Sequence, residues 1–249
     1  VPGPFRLRPG PAGDLWTYAS ATSPGAPVRG HAILCHDLPR PQADAADVAL
    51  TYPALADRLA RETGWQVVTA SLRGAGKSAG DFSALGWLDD LRFLAESEVP
   101  DASTRVVVGF GFGGVLALHL AAGDDRFVGV ACLGTPAEVA ELTGGTEEFL
   151  VRCRRTRVIR TPGFPASLEA WAKELSVLQP AEDAALLKGR PLLMVHGSDD
   201  PDVPLSSARA LADAATGPSE LHVVLGGGHW LRADPRVLAL LVGWLERLH

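Results

Sequence analysis

Apolar residues along this chain alternate between two forms. An uninterrupted apolar run at residues 31–35 predicts a strand buried on both faces, and residues 65–71, 105–108, 127–133 and 191–196 read as further strands. Between them, residues 48–61, 85–94, 112–122, 206–214 and 236–248 repeat apolar positions at helical spacing, the first closed by Gly64 as a C-cap. Two short strands, 5–8 and 15–19, open the chain across a Pro/Gly-rich turn at 9–13, and a last strand spans 221–225. Residues 21–27 and 39–46 read as loops. Strands alternating with helices after an opening pair predict one α/β domain over 1–249, a mostly parallel sheet with helices on both faces. From about residue 138 to 187 the alternation stops. Two helices, 147–155 and 168–175, flank Thr161-Pro162-Gly163-Phe164-Pro165 there, and the segment reads as an inserted cap.

Composition excludes several classes. With 249 residues, 47% of them hydrophobic and 21% charged, the chain is globular rather than disordered. A formal net charge of −6 argues against a nucleic-acid partner. Arg152, Arg154, Arg155, Arg157 and Arg160 read as the solvated face of a helical segment. No apolar run reaches the roughly 18 residues of a membrane span, and Val1-Pro2-Gly3-Pro4-Phe5 carries no secretory pattern. Cys35, Cys132 and Cys153 are odd in number and widely spaced, so a reduced, cytoplasmic protein is expected.

Ligand sites in such sheets form at the carboxyl ends of strands, where His36, Gly111, Asp200 and His229 are expected to fall. The central stretch is Val106-Val107-Val108-Gly109-Phe110-Gly111-Phe112-Gly113-Gly114, which reads as strand, very tight turn and helix. A nucleophile elbow has the pattern G-x-S-x-G with serine at its apex; here the apex is Gly111. Two further segments matter, His196-Gly197-Ser198-Asp199-Asp200-Pro201-Asp202-Val203-Pro204 and Gly226-Gly227-Gly228-His229-Trp230. On these three segments the chain resembles the α/β-hydrolase fold family over nearly all its length. Positions 111, 200 and 229 respect the family's order of nucleophile, acid and histidine. Arg73-Gly74-Ala75-Gly76-Lys77-Ser78 is similar to the family's R-G-x-G-x-S loop. The resemblance implies that fold, a small helical cap and an ancestry among serine esterases or peptidases.

A histidine serves as a base only when a carboxylate fixes its tautomer and stabilises the imidazolium. Asp200 is the candidate for that role. Asp199 and Asp202 are rivals, the latter also placed to cap a helix near Pro204. The oxyanion hole would use the N–H groups of Phe112 and Leu38. His36, at the base of that loop, is either part of the ligand site or a plain strand-end histidine. Gly111 offers no attacking atom, and in subtilisin loss of the serine costs about a million-fold in turnover. A Cβ at a strained apex costs about 1–3 kcal/mol, which glycine avoids. Natural loss is therefore favoured over a knock-out, where alanine is usual.

Gly109, Gly111 and Gly114 also spell G-x-G-x-x-G, but the next strand ends in Cys132-Leu133-Gly134-Thr135 without the acid a dinucleotide ribose needs. No metal-ligand spacing is present, so neither metal nor cofactor is expected. Ser78, Ser198, Cys35 and Cys132 are candidates for a relocated nucleophile, none of them at a strand–helix apex. His119 and His222 read as structural or exposed, and Trp171 as a residue that could line a pocket. The expected function is that of a degenerate hydrolase-fold protein that binds a small, mostly apolar ligand or serves regulation. Two alternatives stay open. One is an enzyme using the His229–Asp200 pair as a general base without a covalent intermediate. The other is a serine ester or peptide hydrolase whose nucleophile was removed.

Overall fold

A computed structural model describes residues 5–21, 27–40, 51–101 and 103–248. Among the described residues, eight strands form one sheet: β1 (Phe5–Gly10), β2 (Gly13–Ala19), β3 (His31–Cys35), β4 (Gln66–Ser71), β5 (Arg105–Phe110), β6 (Phe127–Leu133), β7 (Leu192–Gly197) and β8 (Ser219–Val224). Their spatial order is β1-β2-β4-β3-β5-β6-β7-β8. The pairs β1/β2 and β2/β4 are antiparallel, and every other pair is parallel. The crossovers run through helices α1 (Tyr52–Thr63), α2 (Ala84–Glu98), α3 (Phe112–Gly123) and α8 (Leu205–Ala214), and α9 (Pro235–Arg247) closes the chain.

The two-residue period of a strand divides the core into two layers. In β3, Ile33 and Cys35 join the apolar layer under α2 and α3, while Ala32 and Leu34 join the layer under α1 and α9. β5 repeats this with Val107 on one side and Val106 and Val108 on the other. Both strands are buried along their whole length, which explains their continuous apolar runs. α1 and α9 bury one stripe each, Tyr52, Ala56, Leu59 and Ala60 in the first and Val237, Leu241, Trp244 and Leu245 in the second. α3 is buried on nearly every face and is accordingly apolar all round.

Residues 140–185 hold four helices and no strand: α4 (Ala140–Thr143), α5 (Thr146–Arg155), α6 (Leu168–Val177) and α7 (Pro180–Ala185). The sequence reading draws α5 and α6 only, because α4 and α7 are too short to show a period. α2 runs on to Glu98, where the carboxylate pairs with Arg8 at 2.8 Å. The loops expected at 21–27 and 39–46, and the first turn of the helix expected from residue 48, lie largely outside the described residues.

Candidate functional site

β5 leaves the sheet at Phe110 and α3 begins at Phe112, so one residue turns the chain. Gly111 does so at φ 51° and ψ −119°, a left-handed conformation that a side chain resists. A second constraint acts on the same atom. A Cβ built on Gly111 would lie 2.2 Å from the Asp37 carboxyl carbon. The space a nucleophile's side chain would fill is taken by a carboxylate from the end of β3.

That carboxylate collects the donors of the elbow. Asp37 Oδ1 accepts from the N–H groups of Leu38 at 2.7 Å and Phe112 at 2.8 Å. Asp37 Oδ2 lies 3.1 Å from His229 Nε2. On the other side of the ring, His229 Nδ1 meets Asp200 Oδ2 at 2.8 Å. Asp200 is fixed in turn, its Oδ1 accepting from the N–H groups of Asp202 and Val203 at 2.9 Å each. The side chains of Asp37, His229 and Asp200 are all nearly inaccessible. Burial alone lowers the pKa of an imidazole, but here hydrogen bonds and charge from Asp200 and Asp37 outweigh it and raise His229 to about 10. For Asp200, burial raises the carboxyl pKa and His229 with the two N–H groups more than reverses it, leaving it below the usual value.

The structure thus places Gly111, Asp200, His229, Leu38 and Phe112 together, with one change of meaning. The Leu38 and Phe112 N–H groups, expected to face a ligand, donate to Asp37. Of the two readings of His36, its surroundings match the strand-end one. It is fully buried, with Nδ1 against the Asp37 carbonyl and Nε2 accepting from the Leu72 N–H. Burial lowers its pKa to about 4 despite the pull of Asp37. Asp199 is occupied with the Ser198 hydroxyl, and the N-cap of α8 is Pro204, which supplies no side-chain cap bond, rather than Asp202. Ser78 donates to the Ser71 carbonyl, and burial pushes the thiols of Cys35 and Cys132 up, the latter to about 12. None of these replaces the nucleophile. Asp200, Asp202 and His229 each bring a ligand atom within 4.8 Å of the others, but both oxygens of Asp200 are already used.

Asp37 is a site residue that the sequence does not single out, and Arg152 appears there only as part of a solvated cationic face. Asp37 sits between His36 and Leu38, the two positions chosen from that loop, and only the fold brings its carboxylate opposite the apex. Arg152 lies over the Phe149 ring, its centroid 4.9 Å away, and donates to the Leu142 carbonyl at 2.6 Å. It is partly withdrawn from solvent, unlike the open cationic face expected of the arginine run. A cavity of about 90 Å³ opens onto Asp37 and His229, its walls including Arg152, Glu141, Asp202 and Trp230. Trp171 is not a pocket wall there; it stacks on Phe149 and donates to the Phe82 carbonyl at 3.1 Å. His119 pairs with Asp183 at 3.1 Å and His222 with Glu220 at 3.2 Å, away from this cluster.

A family model described as "Alpha/beta hydrolase family" matches residues 32–239. No curated protein sequence matches. Among solved structures, the chain is similar to XC6422 from Xanthomonas campestris, described as an a/b serine hydrolase without lid, at 23% identity and a TM-score of 0.64 over 100% of this chain and 94% of that one. It is similar to the alpha/beta hydrolase GrgF from Penicillium sp. sh18 at 19% identity and a TM-score of 0.72, with 99% of each chain covered. A thermophilic esterase from Thermogutta terrifontis matches at 21% identity and a TM-score of 0.69, again over 99% of each chain.

Proposed function

Because the chain belongs to the alpha/beta hydrolase family, we propose that it is a member that has left serine acyl transfer. Its site is centred on the Asp37 carboxylate and takes a small molecule in the cavity beside it. One observation carries this reading: Asp37 Oδ1 accepts from both N–H groups that would otherwise stabilise an acyl oxyanion. An ester bound there would find no attacking side chain at Gly111 and no free donors for its carbonyl oxygen. Removing a single oxyanion donor already costs about a hundred- to a thousand-fold in turnover. The charged walls of the cavity favour a polar or polarised occupant over the mostly apolar ligand expected from the sequence.

Two other readings fit less well. A His229–Asp200 general base needs a free, neutral Nε2, whereas here that atom faces Asp37 and the ring is held protonated through neutral pH. A serine hydrolase lacking only its nucleophile's side chain would regain activity with serine at 111, but a Cβ at that position collides with Asp37.

The test is a series with a fluorophosphonate probe and short-chain nitrophenyl esters on the native protein, Gly111→Ser, and Gly111→Ser with Asp37→Ala. Labelling is expected in the double variant alone. Labelling of the native protein overturns the reading, as does a single Gly111→Ser variant as active as the double one.

A further inference from the structure

We propose that the cavity between α1 and the start of α9 binds the phosphate monoester of a small apolar alcohol. This site does not depend on what Asp37 does.

The chain carries a formal net charge of −6, yet Arg40, Arg58 and Arg232 line this cavity of about 280 Å³ against one acid, Asp234. Pairing decides which charges remain. Arg58 is tied to Glu62 at 3.1 Å, and Asp234 to Arg236 at 2.6 Å. Arg40 and Arg232 have no carboxylate partner among the described residues. Their guanidinium carbons instead lie 4.5 and 5.8 Å from the centroid of the Trp230 ring. Arg232 is positioned further by its Nε, which donates to Thr51 Oγ1 at 2.6 Å, and by the Tyr52 ring at 5.7 Å. A cation on an aromatic face is held in place without being neutralised. The cavity therefore presents two ordered, uncompensated guanidinium groups. The arginines around the cavity at the far ends of α2 and α3 differ, because Arg92 pairs with Asp89 at 3.0 Å and Arg126 with Asp124 at 2.7 Å.

Two positive charges beside one ring match a single dianionic group. A phosphate monoester carries about −1.5 to −2 charge at pH 7 and three acceptor oxygens. Guanidinium N–H groups engage such oxygens two at a time. Much of the remaining wall is apolar: Ala54 and Leu55 of α1, Pro235 and Leu238 of α9, and the Trp230 ring. These side chains give the ester's carbon body a place out of water. The volume limits that body to about the size of a phenyl ring or a short alkyl chain. Trp230 also walls the smaller cavity beside Asp37, and its ring packs edge-on to His229 with centroids 5.1 Å apart. The occupant of the arginine cavity thus sits one side chain away from the Asp37–His229 pair.

The test is calorimetric titration of the intact protein with phenyl phosphate, with phenyl sulfate, inorganic phosphate, succinate and phenol for comparison. Saturable binding of phenyl phosphate is expected, tightening as pH rises through about 6, where the dianion forms. Each comparison compound is expected to bind at least about tenfold more weakly. Arg40→Gln and Arg232→Gln are each expected to weaken phenyl phosphate by about tenfold or more. Arg92→Gln removes the same charge elsewhere and is expected to leave binding within about twofold. A second measurement needs no variant: after phenylglyoxal treatment of the native protein, peptide mapping is expected to show Arg40 and Arg232 protected by phenyl phosphate and Arg92 modified as before. Phosphatidylcholine vesicles with and without phosphatidic acid separate a soluble ester from a lipid headgroup, and the protein is expected to stay in the supernatant of both. Lack of saturable phenyl phosphate binding, protection of neither arginine, or binding that survives both arginine changes overturns the site. Phenyl sulfate, succinate or inorganic phosphate binding as tightly as phenyl phosphate overturns the ligand class. Sedimentation with the phosphatidic acid vesicles overturns the assignment to a soluble ester.

Discussion

Asp37 Oδ2 and Asp200 Oδ2 hold opposite nitrogens of one imidazole, at 3.1 and 2.8 Å. Both carboxylates favour the imidazolium, which is why His229 holds its charge to about pH 10 although it is buried. An unfolded histidine titrates near 6.5, so the folded protein binds this proton more tightly. The resulting stabilisation is fully present below about pH 6.5 and is lost as pH rises through about 10. Asp37→Asn presents a carboxamide N–H₂ to His229 Nε2, which is itself a donor in the imidazolium. The ring then sheds its proton at lower pH, and stability between pH 6.5 and 10 depends less on pH. Breaking one member of a buried charge pair costs on the order of 3 kcal/mol at neutral pH. Urea unfolding across that range, with ring-nitrogen NMR of His229, measures both effects. An unchanged pH slope in Asp37→Asn would show that Asp37 adds nothing to the charge on the ring. Gly111 and His229 could be picked from glycine spacing and chain order, and Asp200 from its place after β7. Asp37 could not be picked that way, because its meaning depends on a contact across 75 residues with the Phe112 N–H.

The elbow joins β5 to α3 and is braced by the Gly111 N–H to the Leu133 carbonyl at 2.8 Å. It is legible in sequence because a strand run, a glycine cluster and a helical run follow one another without a gap. The same logic made the parallel strands and long helices readable, while the short α4 and α7 lack the length for a period. What the elbow's glycine avoids is two costs at once: left-handed backbone strain, about 1–3 kcal/mol for a residue with a Cβ, and collision with Asp37. A double-mutant cycle separates them. Gly111→Ala is expected to destabilise by more than the strain alone. In an Asp37→Ala background the collision is gone, so the same change costs only the strain. A coupling of at least about 1 kcal/mol between positions 37 and 111 is therefore expected in urea melts, within the range for residues in contact. Additive effects would mean that Asp37 moves aside without cost.

At the scale of the whole molecule, the helices of 140–185 are fastened to the sheet by a shared core rather than by a hinge. Phe149, Cys153, Val158, Ile159 and Trp171 belong to the same apolar layer as Phe82, Trp87 and Phe112. Trp171 stacks on Phe149 with ring centroids 5.4 Å apart and packs edge-on to Phe82 at 6.1 Å. Polar ties cross the same boundary: the Phe82 N–H to the Val158 carbonyl at 2.9 Å, the Leu85 N–H to Glu174 at 3.1 Å, and Asp81 accepting from the Arg160 and Thr161 N–H groups. Unfolding 140–185 alone would expose Phe82 and leave these partners unsatisfied, so these helices and the sheet are expected to melt together. Trp171→Ala removes a buried ring and the donor to the Phe82 carbonyl. The cost is about 3–5 kcal/mol, and Tm falls by roughly 10 °C. One cooperative transition by near- and far-ultraviolet circular dichroism is expected in both proteins. Protease cleavage within 140–185 should begin only as the sheet unfolds. Cleavage there at temperatures where the sheet signal is intact would instead make 140–185 a separately opening segment, with the Arg152 side of the cavity moving with it.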